Sequence, residues 1–424
     1  MEEGRIRELE NDVAALSARI KALEVENANL TARLSQQHGE NQSLKSKRTH
    51  KNHKNHKKEN QGNFKRRFVA LKIMYIGSCY HGFASQGCAF NTVESEIFAA
   101  LQRTNLVVGS IADANYSRCG RTDRGVSATA QVIALYLRSK KKALDDTEES
   151  GYGSKDRVIV ARSSREEEEM FAAETDDDEI DYVSSLNRAL PADIRVLGWC
   201  PVPPGFHARF SCLYREYKYF FIDDGLNIDA MKQASQRLLG EHDFRNFCKM
   251  DADNIHNYTR QILAFDILPI EECWEGRSLW VMHVRGNAFL WHQVRCMAAV
   301  LFMIGRGHET LTIIDDLLDV DKTMRKPQYV MAPELPLVLQ SCAFQGLRFY
   351  CRPESKAQIH RHLLKHLDQT LLTAALISEG MLELDCPDSI VSFSKTNYVP
   401  LLSRPTEPTY EERRKKLINT TNTS

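Results

Sequence analysis

Strand-like and helix-like segments alternate along residues 68–346, and this alternation limits the chain to a mixed α and β architecture. Their order and mixed spacings indicate an α+β fold, with helices on one face of a largely antiparallel mixed sheet. The sequence predicts strands at 68–77, 130–138, 194–202, 213–222 and 278–286. It predicts helices at 93–101, 182–190, 231–240, 289–305 and 312–320.

We expect these elements to form two similar halves, 68–222 and 223–350, with the active-site cleft between them. An acidic insertion at 140–181 has too few apolar residues to offset its chain entropy, which predicts a solvated surface loop. Residues 351–424 are then a C-terminal extension with an exposed tail.

A heptad pattern runs through residues 1–40, and a basic segment follows it at 41–67. β-Branched residues at one seam position, Leu at the other and a seam Asn27 predict a parallel two-stranded coiled coil. A single amphipathic helix lying on its own protein is the alternative. The basic segment predicts a flexible linker, with phosphate contact or nuclear import as further roles.

Bulk composition excludes several classes of protein. Lys+Arg and Asp+Glu both number 56, so the net charge says nothing about partners. The 11 cysteines are odd in number and form no CxxC pair, which favours reduced thiols over a disulfide framework or a zinc site. The longest wholly apolar run, 297–304, is far short of the ~20 residues that span a bilayer. We therefore expect an intracellular, soluble protein with no membrane contact.

One turn combines unusual residues directly before a predicted strand. Gly120 and Gly125 bracket Arg121, Thr122, Asp123 and Arg124. Such glycines permit a tight turn that presents one carboxylate between two guanidinium groups. The arginines favour the ionised form of Asp123 and offer sites for phosphates or bases. An ordinary surface turn with ion pairing is the alternative on composition alone.

The strand predicted at 213–222 carries aromatic and cationic residues together. Period-two alternation puts Arg215, Tyr217 and Tyr219 on one face of this strand. Such a face suits stacking on an unpaired base. Tyrosine is also common in ordinary strands, and taken alone the pattern favours a plain strand.

A third segment, 285–295, marks the place where a strand gives way to a helix. Such a junction is a natural place for polar groups to converge on an anionic ligand. His292 and Arg295 are three residues apart and should share a helical face. Arg295 has very apolar neighbours and should need a carboxylate partner. The sequence by itself does not identify that partner.

Taken together and in this order, the three segments resemble the successive motifs of the TruA-type tRNA pseudouridine synthases. They read CGRTDRGVSATAQV, FHARFSCLYREYKYF and RGNAFLWHQVR. The resemblance runs from about Phe68 to Gln345. Three further segments are similar to the eukaryotic branch that modifies tRNA uridines 38 and 39: YHGFASQ, HDFRNFCKMD and KPQYVMAPELPLVL.

The resemblance implies that uridine in tRNA is isomerised to pseudouridine without a metal or other cofactor. Asp123 matches the catalytic aspartate, and Tyr217 matches the tyrosine that packs against the target base. Arg121 matches the turn arginine that holds the everted nucleotide, and Leu337 matches an apolar pocket residue. Arg295 matches the basic residue that pairs with the aspartate, so we expect an Asp123–Arg295 ion pair.

The resemblance also implies tRNA as the partner, a homodimer and residence in the nucleus and cytoplasm. The N-terminal heptads would offer a second means of dimerisation beside the catalytic body. A catalytically silent tRNA-binding protein or RNA chaperone on the same scaffold is the alternative function.

Overall fold

The computed structural model describes residues 65–85, 91–107, 109–140, 178–274, 277–384 and 398–421. The predicted coiled coil at 1–40 lies outside the described residues, as do nearly all of the basic linker and the acidic insertion. None of the described helices is both long and apolar enough to cross a bilayer.

Within the described residues, nine strands join into one sheet. They are β1 (Arg66–Tyr75), β2 (Ser117–Arg118), β3 (Ser127–Arg138), β4 (Ile194–Pro201), β5 (Tyr214–Ile222), β6 (Gly240–Asp243), β7 (Thr259–Trp274), β8 (Arg277–Gly286) and β9 (Leu337–Ala343). The order across the sheet is β4-β1-β3-β9-β5-β8-β7-β6, and β2 pairs with β3. Adjacent strands are antiparallel except β3 and β9, which are parallel.

Five helices lie on segments between the strands, and two follow the last strand in the described residues. They are α1 (Val93–Arg103), α2 (Tyr182–Ala189), α3 (Ile228–Gln236), α4 (Gln293–Gly305), α5 (Ile313–Leu318), α6 (Pro353–Leu382) and α7 (Tyr410–Thr421). The prediction of a mixed α+β fold with a mostly antiparallel sheet is confirmed.

Two main apolar clusters form the core, one toward each end of the sheet. The first packs α1 and α2 against β1, β3 and β4, and the second packs α3 and α4 against β5, β7 and β8. Because α4 is apolar on nearly all sides, almost all of its residues are buried. β9 lies between β3 and β5, so it joins the strands of the two clusters.

Two predicted helix boundaries are wrong. The helix predicted at 231–240 ends at Gln236, and Gly240 instead begins β6 with a φ of +97°. The helix predicted at 289–305 begins only at Gln293, because His292 adopts a left-handed φ of +62° that interrupts helical geometry.

Two long elements were not predicted. β7 runs for 16 residues, but its mixed polar and apolar sequence lacks a clean alternation. α6 runs for 30 residues, yet many of its apolar side chains are exposed, so no single buried stripe marked it in the sequence. The other predicted strands and helices are confirmed to within a few residues.

Candidate active site

The turn between β2 and β3 presents Asp123 and is closed by its own backbone. The Val126 amide donates to the Asp123 carbonyl at 3.2 Å, and the Gly125 amide donates to the Tyr80 carbonyl at 3.1 Å. Gly125 has a φ of +77°, and a Cβ there would lie 2.7 Å from Cγ of Glu334. Glycine is therefore required at this position both for the backbone angle and for space.

A second segment, residues 75–83, braces the turn from the side. The Tyr75 hydroxyl and Thr122 Oγ1 are 2.7 Å apart, and the Phe83 amide donates to the Thr122 carbonyl at 3.1 Å. Gly82 packs so closely that a Cβ would lie 2.9 Å from that same carbonyl oxygen. These contacts fix the residue before Asp123 and so restrict where the carboxylate can point.

A buried glutamine holds the other side of the turn. Gln131 on β3 has no exposed surface, and its amide both accepts from the Gly120 amide at 3.2 Å and donates to the Gly120 carbonyl at 3.0 Å. The sequence analysis did not identify this residue. The signal that could have found it is one glutamine within an otherwise apolar buried strand, because such a polar group needs internal partners.

Asp123 lies in a mostly desolvated environment with one clear donor. Trp291 Nε1 donates to its Oδ1 at 3.1 Å, and His292 Nε2 lies 3.5 Å from its Oδ2. Burial raises the pKa of Asp123 from 3.8 to about 6; the Arg295 charge and the Trp291 hydrogen bond oppose this rise, and the Glu334 charge adds to it. The side chain is therefore ionised at neutral pH but begins to take up a proton just below it.

His292 is neutral beside this carboxylate. Burial, followed by the charges of Arg295 and Lys249, lowers the pKa of His292 to about 4. Its contact with Asp123 is therefore not an ion pair at neutral pH. Nδ1 of His292 is buried and has no hydrogen-bond partner in the described part of the chain. His292 therefore combines a left-handed backbone with a buried polar atom that has no partner among the described residues.

The prediction of an ion pair between Asp123 and Arg295 is wrong for the described structure. Arg295 Nη2 donates to Glu334 at 2.8 Å, and its Nε donates to the Ala332 carbonyl at 2.7 Å. These partners come from the loop before β9, which the sequence could not place against α4. Arg295 is only 9% exposed, so its charge still acts on Asp123 and lowers the pKa of that carboxyl group.

Tyr217 lies on β5 with its ring edge-on to Phe289 at a centroid distance of 5.1 Å. Burial raises its pKa, and the nearby Cys342 thiol and Asp123 carboxyl group add to that rise, so the phenol is neutral. Leu337 begins β9, is 5% exposed and lies opposite Tyr219 on β5. The structure therefore places Tyr217 near Asp123, with Leu337 on the neighbouring strand.

The two predicted arginines differ in their surroundings. Arg121 is exposed, and across the described residues no hydrogen bond from its guanidinium group is recorded. Arg215, which the strand pattern suggested for base contact, is engaged with the protein backbone. Its guanidinium group donates to the carbonyls of Cys119 at 3.2 Å, Arg209 at 2.7 Å and Asn287 at 2.7 Å. One side chain thus ties together the three segments singled out in the sequence.

Lys249 is a site residue that the sequence analysis missed. Its ammonium group lies 4.4 Å from the centroid of the Trp291 ring, and its amide donates to the Trp291 carbonyl at 2.9 Å. The positive charge lowers the pKa of both Asp123 and His292. Lys249 therefore steadies the indole that donates to the carboxylate and adds positive charge to the site.

In the portion of the chain that is described, the one cluster of three metal-ligating side chains is Cys119, Cys212 and Cys342, and it does not include Asp123. What surrounds Asp123 is an indole donor, a neutral imidazole, two positive charges and aromatic rings. Such a site suits a planar, uncharged base attached to an anionic backbone.

The comparisons with known proteins agree with this geometry. A family model described as tRNA pseudouridine synthase matches residues 234–345. The tRNA pseudouridine synthase A of Methanothrix thermoacetophila is 30% identical over 311 residues, which is 73% of this chain and 96% of that protein. The chain belongs to the tRNA pseudouridine synthase family. The resemblance seen in the three sequence motifs is confirmed.

Eukaryotic members of the family are more similar in sequence. The Homo sapiens protein named tRNA pseudouridine(38/39) synthase is 47% identical over 305 residues, 70% of this chain and 60% of its own length. The Saccharomyces cerevisiae protein of the same name is 42% identical over 283 residues, 66% of this chain and 58% of its own length. The chain therefore covers less than two thirds of these relatives.

Proposed function

We propose that this protein isomerises uridine to pseudouridine at positions 38 and 39 of the tRNA anticodon stem-loop, with Asp123 as the catalytic carboxylate. The observation that carries the proposal is a single desolvated carboxylate on a turn held from both sides, facing an indole donor and a neutral imidazole. The choice of positions is supported by the names of the eukaryotic relatives.

The reaction conserves every atom of the nucleotide. The bond between C1′ of the ribose and N1 of uracil breaks, the base turns, and a bond forms between C1′ and C5. C5 then loses a proton and N1 gains one, so no oxidant, reductant or water is consumed. Asp123 begins this sequence as a carboxylate, either by attack on the nucleotide or by removal of a sugar proton. Both routes need the ionised form.

The neighbouring residues have separate roles in this proposal. Tyr217 and Phe289 provide an aromatic wall for the everted base, since Tyr217 lies near the carboxylate, remains neutral and packs edge-on against the Phe289 ring. Leu337 contributes the apolar floor of the pocket. Arg121 is exposed and so is available to a phosphate of the substrate. The positive charge of Arg295 lowers the pKa of Asp123, and the hydrogen bond to Glu334 holds the Arg295 side chain in position.

The alternative function, a catalytically silent tRNA-binding protein or RNA chaperone, is less well supported. Tight binding of RNA requires positive charge and stacking surfaces, but it does not require a desolvated carboxylate. Keeping Asp123 partly buried opposes folding at neutral pH, because its pKa lies above the ordinary value. A protein that only binds RNA gains nothing from that cost.

The wider organisation is also part of the proposal. Two similar halves, 68–222 and 223–350, are supported by the two core clusters that lie on either side of β9. Helices on one face of the sheet and a cleft between the halves complete this arrangement. Residues 351–424 form an extension that begins with α6. The acidic insertion at 140–181 remains assigned to a surface loop.

We propose a homodimer that uses both the catalytic body and the coiled coil at 1–40. Support for a contact outside the coiled coil comes from α6 of the C-terminal extension, where several large apolar side chains are exposed, which is unusual for a monomer. They are Leu364, Leu367, Leu371, Leu372, Leu376, Ile377, Met381 and Leu382. The basic segment at 41–67 supports residence in the nucleus as well as the cytoplasm.

The activity is tested with the full chain and an unmodified tRNA that carries uridine at positions 38 and 39. Carbodiimide mapping should show pseudouridine at those positions with the wild type and none with Asp123→Asn, while both proteins bind the tRNA equally. Asp224→Asn is the control, because it removes an exposed carboxylate on the loop after β5, and it should remain active. Product formation by a clean Asp123→Asn preparation would refute the catalytic assignment, and pseudouridine only at other positions would refute the site assignment.

The dimer is tested separately by light scattering on the full chain and on a version that begins at Phe64. If both means of dimerisation act, the shorter version should still dimerise but with weaker affinity. Equal affinity of the two versions would exclude a contribution from the N-terminal heptads. A monomeric shorter version would exclude the body contact.

A further inference from the structure

Three cysteines from distant parts of the chain meet beside the catalytic turn. Cys119 follows β2, Cys212 precedes β5, and Cys342 lies near the end of β9. All three are free thiols, and their sulfur atoms lie within 4.8 Å of one another. We propose that these three thiols form a binding site for one thiophilic d¹⁰ metal ion, either Zn(II) or Cu(I).

The distances suit one ion among the three sulfurs. A metal–thiolate bond of about 2.3 Å places the sulfurs of a shared ion roughly 3.8–4.0 Å apart. The observed upper limit of 4.8 Å therefore needs a contraction of less than about 1 Å, which side-chain rotation can supply. Soft thiolate donors select Zn(II) and Cu(I) over hard ions such as Mg²⁺.

The surroundings favour a bound cation and exclude most competing ligands. Cys119 is 2% exposed, and the cluster packs against apolar residues that include Phe206 and Phe344. The backbone oxygen of Tyr214 lies 3.2 Å from the Cys212 sulfur. That oxygen accepts a hydrogen bond from the Cys212 thiol. The fourth ligand that Zn(II) usually requires would come from solvent, whereas Cu(I) can be held by the sulfurs alone.

The positive charge of Arg215 would neutralise the net charge of the metal–thiolate site. Three thiolates and Zn(II) carry one net negative charge, and the adjacent guanidinium group of Arg215 offsets it. This group donates to the Cys119 carbonyl at 3.2 Å. With Cu(I), two thiolates bind the ion and the third thiol keeps its proton, which gives the same net charge. Each thiol that binds as a thiolate releases its proton to the solvent, and no oxidation or reduction takes place.

A bound ion would connect the three parts of the chain that carry Cys119, Cys212 and Cys342, next to the turn that presents Asp123. Cys119 is followed at once by Gly120, which Gln131 holds, and then by the turn that presents Asp123. Cys212 and Cys342 belong to the segments that carry Tyr217 and Leu337. The metal would therefore stabilise the turn and its neighbouring strands as one unit. The metal would have this structural role whichever uridine the protein modifies, and even if it modifies none.

The test uses the full chain, purified under reducing and anaerobic conditions and freed of metal with a chelator. Zn(II) and Cu(I) are titrated separately against chromogenic chelators of known affinity, and the bound metal is counted by mass spectrometry. We expect one equivalent of one of these ions to bind tightly. Cys212→Ala and Cys342→Ala should each weaken that binding at least tenfold. Cys200→Ala removes a buried thiol of the same apolar cluster and should bind as the wild type does.

Thermal unfolding gives a second readout that does not depend on enzymatic activity. The ion should raise the Tm of the wild type and of Cys200→Ala, but not that of Cys342→Ala, whose fold is checked by circular dichroism. Equal binding by wild type and Cys342→Ala would overturn the proposal, as would failure of both ions to bind. If Cys342→Ala does not fold, Cys212→Ala decides the question by the same two measurements.

Discussion

Replacing Asp123, the proposed catalytic carboxylate, should make the protein more stable while abolishing the proposed activity. Asp123 has a side chain that is 23% exposed, and burial raises its pKa from 3.8 to about 6. The difference is about two pH units, and one unit corresponds to about 1.36 kcal/mol. Ionised Asp123 therefore opposes folding by up to about 3 kcal/mol. Asp123→Asn removes the charge but keeps an oxygen that can accept from Trp291.

The pH dependence of this effect has a definite sign. Because the folded-state pKa is raised, Asp123 does not oppose folding below pH 3.8, and its unfavourable contribution grows as the pH rises from 3.8 through about 6. The advantage of Asp123→Asn should therefore be complete at pH 8, roughly half as large at pH 5, and absent at the lowest pH. An effect of the amide on packing alone would not change with pH.

The assay is thermal unfolding of wild type and Asp123→Asn at pH 5 and pH 8, in parallel with carbodiimide mapping of product. For a chain of this size, a free energy of about 3 kcal/mol raises the Tm by about 4 °C. Asp113→Asn is the control, because hydrogen bonds from Ser110 lower the pKa of Asp113. Its charge favours folding, so the control variant should not be stabilised at pH 8.

Two results would refute the reasoning. If Asp123→Asn unfolds at or below the wild-type Tm at pH 8 with an unchanged circular dichroism spectrum, then the carboxylate does not oppose folding. If the variant is stabilised equally at pH 5 and pH 8, then the gain comes from packing and the charge is not its cause.

The remaining predictions concern the residues around Asp123. The Glu334 charge raises the pKa of Asp123, so Glu334→Gln should move the acid side of the pH–rate profile to lower pH. The Arg295 charge lowers that pKa, so Arg295→Met should move the acid side to higher pH. Shifts of both variants in the same direction would contradict this. Gly82→Ala places a Cβ against the turn at a residue whose φ is +95°, so it should lower the free energy of unfolding by about 1–3 kcal/mol in a chemical denaturation experiment. Gly205→Ala is the control, because its Cβ would meet no atom within 4 Å, and it should leave the free energy of unfolding unchanged. Arg215→Met leaves three backbone carbonyls without their donor and should lower the free energy of unfolding by at least about 2 kcal/mol; a wild-type value would show that Arg215 does not brace the three segments.

Local chemistry was enough to find the turn and most of the elements. Two glycines around a carboxylate predict a tight turn from residue type and spacing, and the folded chain uses Gly125 for its positive φ. The apolar run at 297–304 predicts a buried helix, and α4 is buried on nearly every side. The three motifs were also enough to identify the family, because their order and residue types are specific to it.

Partners that come from distant segments were not available from the sequence. Arg295 was expected to bind Asp123, but Glu334 lies closer once the loop before β9 packs against α4. Arg215 lies on a strand face for which base stacking was one of two interpretations, and three backbone carbonyls surround it after folding. Gln131 and Lys249 became visible as site residues only when their contacts were known.

The sequence by itself determined the family, the α+β class and the carboxylate, because each of these depends on residue type and short-range spacing. The tertiary structure decided which charges surround Asp123, how its pKa is set and where the three cysteines meet. The spacing of those cysteines along the chain predicted no metal site. Cys119, Cys212 and Cys342 are separated by 93 and 130 residues in the sequence, so only the pairing of β5 with β9 and the packing of the turn bring their sulfurs together.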